Sequence, residues 1–263
     1  MPSTHRRKTY HSSTQRSQVF SVYIMSKVVL ITGANSGVGF ELARFIAEKG
    51  HIVYIGARNE DSGQKAVDML HSEGFKTVKL VVIDITQPSI IKSARETIEE
   101  NEGRLDVLVN NAGIALMDED QSAVTPSMPA VREIIETNFY GTIETTVVFI
   151  PLLRKSTCTP VILNVSSSFG SNKQSQVDAR AKFVGYRASK AAINSYTIAL
   201  AMELKDEGFK VNSVTPGITA TKMTHDIGQP VSAGGLAILP WALLDIEGPT
   251  GKFFGSDGKE LPW

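Results

Sequence analysis

The chain has 263 residues, 42% of them hydrophobic and 21% charged, which suits one large α/β domain or two small ones. Lysine plus arginine balance aspartate plus glutamate at 27 each, so no net field favours nucleic acid, and no apolar run approaches the roughly 20 residues that cross a bilayer. The single cysteine, Cys158, rules out an internal disulfide, argues for a reducing compartment such as the cytoplasm, and leaves no zinc site.

Residues 1–24 carry Arg6, Arg7, Lys8 and Arg16 and no acid, so they hold +4 and the rest of the chain −4. This basic, Ser/Thr-rich extension has the composition of a mitochondrial transit peptide, and equally of a disordered tail or of sequence ahead of the true start. The domain proper reads as residues 25–263, opening with "MSKVVLITGANSG". From there strands and helices alternate. "KVVLIT" is a β-branched run bounded by glycine, hence a buried strand, and "VGFELARFIAEKG" follows with Val38, Leu42, Phe45 and Ile46 on one helical stripe. "HIVYIGAR" and "EDSGQKAVDMLHSEG" give a second strand and helix, "TVKLVVIDIT" and "SIIKSARETIEENEG" a third pair, and "LDVLVNNAG" a fourth strand. Residues Ala130 to Lys155 read as one long helix, "PVILNVSSS" as a fifth strand, Gly185 to Leu204 as a helix and "FKVNSVTPG" as a sixth strand. "THDIGQPVSAGG" is glycine-rich and weakly periodic, a mobile substrate loop, and "TGKFFGSDGKELPW" is a final edge strand with a turn at Asp257-Gly258. His51, His71 and His225 show no ligand spacing and read as surface residues. Strands that are apolar throughout, separated by amphipathic helices, predict a doubly wound, mostly parallel sheet in a single Rossmann domain. Ligands of such sheets lie beyond the carboxyl ends of the strands.

Three stretches at those ends carry chemistry. "TGANSGVG" joins the first strand to the first helix, and Gly33, Gly37 and Gly39 allow a tight turn and close backbone approach to a pyrophosphate at the helix start. The second strand ends "GARNED": Arg58 stands where an arginine meets a ribose 2′-phosphate, and Glu60 and Asp61 come too late to hold the free hydroxyl, which favours NADP(H). Asp84, ending the third strand, suits an adenine amino group or simply opens the next turn; "NNAG", Asn110 to Gly113, suits strand locking and close cofactor approach.

"GYRASK" places Tyr186 and Lys190 at i and i+4, on one helix face. The spacing alone decides nothing, since Tyr23 and Lys27 share it ahead of any helix signal. With "TGANSGVG", "NNAG", "NVSSS" and "VTPG" in this order on these elements, however, the chain resembles the short-chain dehydrogenases/reductases from about Lys27 to Gly217, and more loosely to Trp263. The resemblance implies a carbonyl reductase using NADP(H): Tyr186 as proton donor, Lys190 holding the nicotinamide ribose and lowering the tyrosine pKa, Ser167 binding the substrate oxygen, and Asn138 holding a relay water. It also implies cofactor contacts at Gly33, Asn35, Ser36, Gly37, Val38, Gly39, Arg58, Asp84, Ile85, Asn111, Ala112, Gly113, Pro216, Gly217, Ile218 and Thr221, the last two facing the carboxamide, besides Tyr186 and Lys190.

Hydride reduction of a carbonyl leaves an alkoxide that needs a proton from a group titrating near the working pH. Free tyrosine lies about three units too high, roughly 4 kcal/mol, and an ammonium at ~4 Å supplies that only where the effective dielectric is ~20 rather than that of water. The pair therefore needs a partly dry cleft.

The sequence departs from the family pattern in one place: 19 positions separate Ser167 from Tyr186, several more than most relatives carry. The excess lies in "GSNKQSQVDARAKFVG" and shifts the expected substrate towards bulky or varied ketones. Relatives pair through two long helices, which implies a homodimer or homotetramer. A small-molecule partner, with neither nucleic acid nor membrane, completes the expectation. The rival reading is a regulator that keeps the fold and the cofactor without turnover.

Overall fold

The computed structural model describes residues 26–175 and 182–263. The basic extension 1–24 and the centre of the insertion between Ser167 and Tyr186 lie outside the described residues. In chain order the elements are β1 (Val28–Thr32), α1 (Gly37–Glu48), β2 (Ile52–Ala57), α2 (Glu60–Ser72), β3 (Val78–Val82), α3 (Pro88–Glu102) and β4 (Val107–Asn110). There follow α4 (Met128–Ile135), a π-helical turn (Glu136–Tyr140), α5 (Gly141–Leu153), β5 (Val161–Val165), a short α6 (Asn172–Ser175), α7 (Val184–Glu203), β6 (Lys210–Val214), α8 (Val231–Ala242) and β7 (Phe253–Phe254).

The strands form one parallel sheet in the order β3-β2-β1-β4-β5-β6-β7. Its topological switch lies between β1 and β4, where a crevice opens beyond the strand ends. Side chains alternate between two cores. Val29, Ile31, Val53, Ile55, Val109 and Leu163 meet α1, α2 and α8 on one face; Val28, Leu30, Leu108 and Ile162 meet α3, α5 and α7 on the other. β1 and β5, sandwiched on both sides, are buried at every position, which is why their sequences run apolar without a break. α3 is bounded as its sequence asks, with Pro88 in its first turn and Gly103 at φ 69° closing it.

The structure corrects three expectations. The segment read as a mobile loop through Gly235 becomes helix α8 from Val231, packed on α1. Its glycines permit that approach: a Cβ on Gly235 would stand 2.9 Å from Glu41 Cβ, and one on Gly234 would stand 3.1 Å from Val38 Cγ2. The long helix between β4 and β5 runs from Met128 to Leu153 but widens into the π turn at Glu136–Tyr140. His51 is buried, 4% exposed, with Nδ1 accepting the Lys27 N–H at 3.2 Å at the amino end of the sheet. The edge strand β7 is present but short, and Gly258 at φ 79° makes the expected turn that brings Glu260 back against Phe254.

Candidate active site

Two strand ends interlock to build the floor of the crevice. Thr32 Oγ1, closing β1, accepts the N–H groups of Asn111 and Ala112 at 3.0 Å each, and Asn111 Nδ2 donates to the carbonyls of Thr32 and Gly33 at 2.8 and 3.2 Å. Gly33 sits at φ 64° with Ala112 Cα 2.9 Å from where its Cβ would be, so any side chain would push the two loops apart. Gly39 faces Asn111 Nδ2 more closely still, at 2.5 Å from its would-be Cβ. The start of α1 carries no side-chain cap on Ser36 and no acidic residue in its first turn. Its N–H groups are thus suited to an anion, which the macrodipole also favours.

Asn138 occupies the π turn and is fully buried. Its Oδ1 accepts the Ile114 N–H at 2.8 Å, while Nδ2 donates to the Ile114 carbonyl at 2.8 Å and to Ser189 Oγ at 3.0 Å. Both amide hydrogens therefore have protein acceptors, and the side chain fixes the path of the chain leaving β4. A wide turn at a functional site is a common use of the π-bulge.

Tyr186 and Lys190 lie on α7, both buried, with Lys190 Nζ 5.6 Å from the Tyr186 ring centre. Lys190 Nζ donates to the Val165 carbonyl at 2.8 Å, which ties it to the end of β5. Burial pushes Lys190 down to about 8 and Tyr186 up to about 12, the latter against a hydrogen bond with Ser167. Desolvation, opposed only by the Ser167 hydrogen bond, sets the phenol: the side chain keeps its proton at neutral pH, and Lys190, expected to lower it, is not among the causes of its shift. Ser167 Oγ also accepts the Phe169 N–H at 3.2 Å. Ser166 points elsewhere, its Oγ 3.4 Å from the Lys190 carbonyl. A Cβ on Gly113 would stand 3.1 Å from Asn138 Oδ1 and 3.6 Å from Lys190 Nζ, so glycine lets the β4 exit pack closely against both groups.

The remaining expected residues frame the crevice. Arg58 is exposed just past β2, and its charge reaches Asp84. Partial burial works to raise the Asp84 carboxyl, but hydrogen bonds from Thr86 and Gln87, aided by Arg58, hold it below its ordinary value. Asp84 thus does open the next turn, with Oδ1 accepting from Thr86 N–H and Oγ1 at 3.0 and 2.7 Å. Ile85 is buried, its carbonyl 2.6 Å from where a Gly141 Cβ would be, so the β3 exit packs on the start of α5. Asn35 Nδ2 donates to Ser62 Oγ at 3.3 Å, joining the glycine turn to α2. After β6, Gly217 turns at φ 79°, the Pro216 carbonyl accepts from Gln229 Nε2 at 2.6 Å, and Ile218 is 49% exposed. Thr221 lies over the glycine turn, its Cγ2 3.5 Å from a would-be Gly37 Cβ, while its hydroxyl caps the short 3-10 turn Lys222–Thr224.

The family model described as short chain dehydrogenase matches residues 27–232, most of the chain. The chain belongs to the short-chain dehydrogenase family. Within this family, a (+)-neomenthol dehydrogenase of Capsicum annuum is 30% identical, aligned over 87% of this chain and 95% of its own length. Among solved structures, salutaridine reductase of Papaver somniferum superposes with a TM-score of 0.76 at 27% identity, covering 86% of this chain and 99% of that one. An NADPH-bound carbonyl reductase from chicken fatty liver gives a TM-score of 0.80 at 25% identity, covering 90% and 99%. The protein is therefore an oxidoreductase of this family, and its relatives act on small molecules. Among the described residues, no helix is long and apolar enough to cross a membrane.

This short-chain dehydrogenase also holds a feature of which the motifs showed only one member, the strand-locking Asn110. Asn110, Asn164 and Ser213 stand in register on β4, β5 and β6. Asn110 Nδ2 donates to Thr146 Oγ1 and Asn164 Oδ1 at 2.9 and 2.8 Å, Asn164 Nδ2 to Thr197 Oγ1 at 2.9 Å, and Thr197 Oγ1 meets Ser213 Oγ at 2.9 Å. This buried polar ladder joins three strand ends to α5 and α7 directly below the site. Its sequence signal is the polar residue at matching depth in otherwise apolar strands.

Proposed function

We propose that the protein is an NADP(H)-dependent carbonyl reductase, converting a ketone or aldehyde to its alcohol. The observation that carries this reading is the buried Tyr186–Lys190 pair, with Ser167 hydrogen-bonded to Tyr186 and the Gly113 backbone packed beside Lys190. The chain fits a dinucleotide: Gly33, Gly37 and Gly39 keep the turn tight and bare the backbone at an uncapped helix start. Residues Asn35, Ser36 and Val38 would hold the pyrophosphate with those glycines; Asp84, Ile85, Asn111 and Ala112 would line the adenosine half; and Pro216, Gly217, Ile218 and Thr221 the nicotinamide half. Arg58, exposed beyond a second strand that ends without a carboxylate, suits a 2′-phosphate and favours NADP(H) over NAD(H).

When bound, NADPH supplies the hydride. Ser167 hydrogen-bonds the substrate oxygen and orients it. Tyr186, protonated at neutral pH, donates its proton to the alkoxide as charge develops there. Lys190, largely an ammonium at pH 7, stabilises the phenolate that remains, in a buried site where a charge acts far more strongly than in water. Asn138 keeps the β4 exit, and hence Gly113, at the correct depth. Phe169 meets the Tyr186 ring edge-on at 6.4 Å and stacks on Phe183 at 6.3 Å, an apolar wall suited to a bulky ring ketone, in keeping with the names of the neomenthol and salutaridine enzymes. Exposed apolar side chains on the π turn, α5 and α7, namely Tyr140, Val147, Ile198 and Met202, are what pairing of two copies would cover. We place the enzyme in the cytoplasm.

The test is consumption of NADPH, against NADH, over aldehydes, α-diketones and cyclic ketones, with Tyr186→Phe beside the wild type. NADPH-selective turnover that vanishes in the variant is expected. Tight NADPH binding without turnover on any carbonyl would instead favour a cofactor-binding regulator.

A further inference from the structure

Tyr186 lies in the first turn of α7, and that turn is built unusually. Helices generally begin on a Ser, Thr, Asp or Asn whose side chain takes the free N–H groups of the first turn. α7 begins after Phe183, a bulky residue held at φ 71° with no side-chain cap to offer. The missing acceptors come from Gln121, 65 residues earlier: its main-chain carbonyl accepts the Val184 N–H at 3.0 Å and its Oε1 the Tyr186 N–H at 3.2 Å. The other end of the same amide is also committed. Nε2 donates to the carbonyls of Ala115 and Leu116 at 2.7 and 3.0 Å, and Leu116 itself sits at φ 45°, in the left-handed region. Gln121 is only 3% exposed, and each of its amide hydrogens and its oxygen has a partner.

We propose that Gln121 is a positioning residue, capping the first turn of α7 from outside the helix so that Tyr186 and the chain leaving β4 through Leu116 are held as one unit. A frayed first turn would let Tyr186 move relative to Lys190, which stays tied to Val165 further along the helix. Misplacement by about an ångström is enough to cost on the order of a hundredfold in rate. The chain leaving β4, tied to Asn138 at Ile114, and the backbone of the proton donor are thus joined through the Gln121 amide. The inference rests on the proposed role of Tyr186.

The decisive experiment compares Gln121→Leu, Gln121→Glu and Tyr186→Phe with the wild type, measuring kcat, KM, the pH profile of reduction, NADPH binding by fluorescence and the thermal midpoint. Gln121→Leu, which removes the acceptor and both donors, is expected to lower kcat roughly ten- to a hundredfold and move the alkaline limb of the profile, with NADPH affinity held. Gln121→Glu keeps an acceptor for the Tyr186 N–H and sets an oxygen against the two loop carbonyls, so it should recover kcat while raising KM. A Gln121→Leu enzyme with wild-type kcat and profile and only a lower thermal midpoint overturns the proposal. Should that variant fail to fold, a Gln121→Glu enzyme with wild-type KM, or without the alkaline limb, overturns it. Turnover surviving in Tyr186→Phe refutes the proton donor itself, whereas an inactive Tyr186→Phe beside a wild-type-like Gln121→Leu refutes only the cap.

Discussion

The two edges of the sheet both bury polar side chains, and they use them in opposite ways. At the amino edge, Asp106 is 1% exposed, yet its Oδ2 accepts the Val28 N–H at 2.7 Å and Arg104 Nε at 3.1 Å, and its Oδ1 accepts Ser156 Oγ at 2.6 Å. The protein itself satisfies that carboxylate, which stitches β1 to the chain entering β5. At the carboxyl edge, Tyr186 and Lys190 are also buried, at 9% and 5% exposed, and burial drives both away from their ordinary titration range. Buried polarity is thus structural where the fold completes its hydrogen bonds, and poised for chemistry where it leaves them for a ligand.

Substitutions at the two edges should separate along the same line. The largest effect belongs to Tyr186→Phe, expected to lower turnover on the order of 10²- to 10⁴-fold with unchanged thermal stability and retained NADPH binding, since only the proton donor is lost. A measured loss of folding in that variant would place Tyr186 with the structural edge instead. Next comes Arg58→Asp, which removes a fork of donors and adds a repelling charge where a 2′-phosphate would lie. It should shift the NADPH-over-NADH ratio of kcat/KM by ten- to a hundredfold, about 1.4–2.7 kcal/mol, with no change in stability. An unaltered ratio would remove Arg58 from the cofactor site.

How much of this was legible in the sequence follows from how local the signals are. β1 and β5 announce themselves because both faces are covered, and the glycine turn because Gly33 has no room for a side chain. α8 was not legible: Gly234 and Gly235 look like loop residues, and only contact with α1 shows that they were needed for close packing. The cap on α7 was not legible either, because Gln121 and Tyr186 are far apart in the chain and no local pattern links them. The π turn at Asn138 has no spacing of its own to betray it. His51 was misplaced because histidine follows a strand boundary as readily outside as inside, and its burial depends on Lys27 arriving from the neighbouring strand.

At the amino edge the expected effects are on stability alone. Asp106→Ala leaves the Val28 N–H buried without an acceptor, which costs about 1–3 kcal/mol, and denaturant unfolding should show that loss while kcat of the folded fraction stays at the wild-type value. A fall in kcat larger than the fall in folded fraction would break the division between the edges.

The smallest effect, and the one that sharpens the division most, concerns His51. Burial, then the charges of Lys27 and Lys49, hold its pKa below the ordinary value, against an opposing pull from Asp106. Its Nδ1 accepts the Lys27 N–H, so protonation would set two donors face to face. A histidine depressed in the folded state is kept neutral by folding; its contribution is present in full above the unfolded pKa of about 6.5 and is lost as pH falls below it. His51→Asn places an oxygen near the Nδ1 position and does not titrate, so the variant should lose less stability than the wild type between pH 7.5 and 5.5 in denaturant unfolding. Equal losses would mean that His51 is solvated enough to protonate without penalty. If reduction measured over the same interval keeps its rate in both proteins, the acid sensitivity belongs to the amino edge, while Tyr186, pushed to about 12, remains protonated throughout.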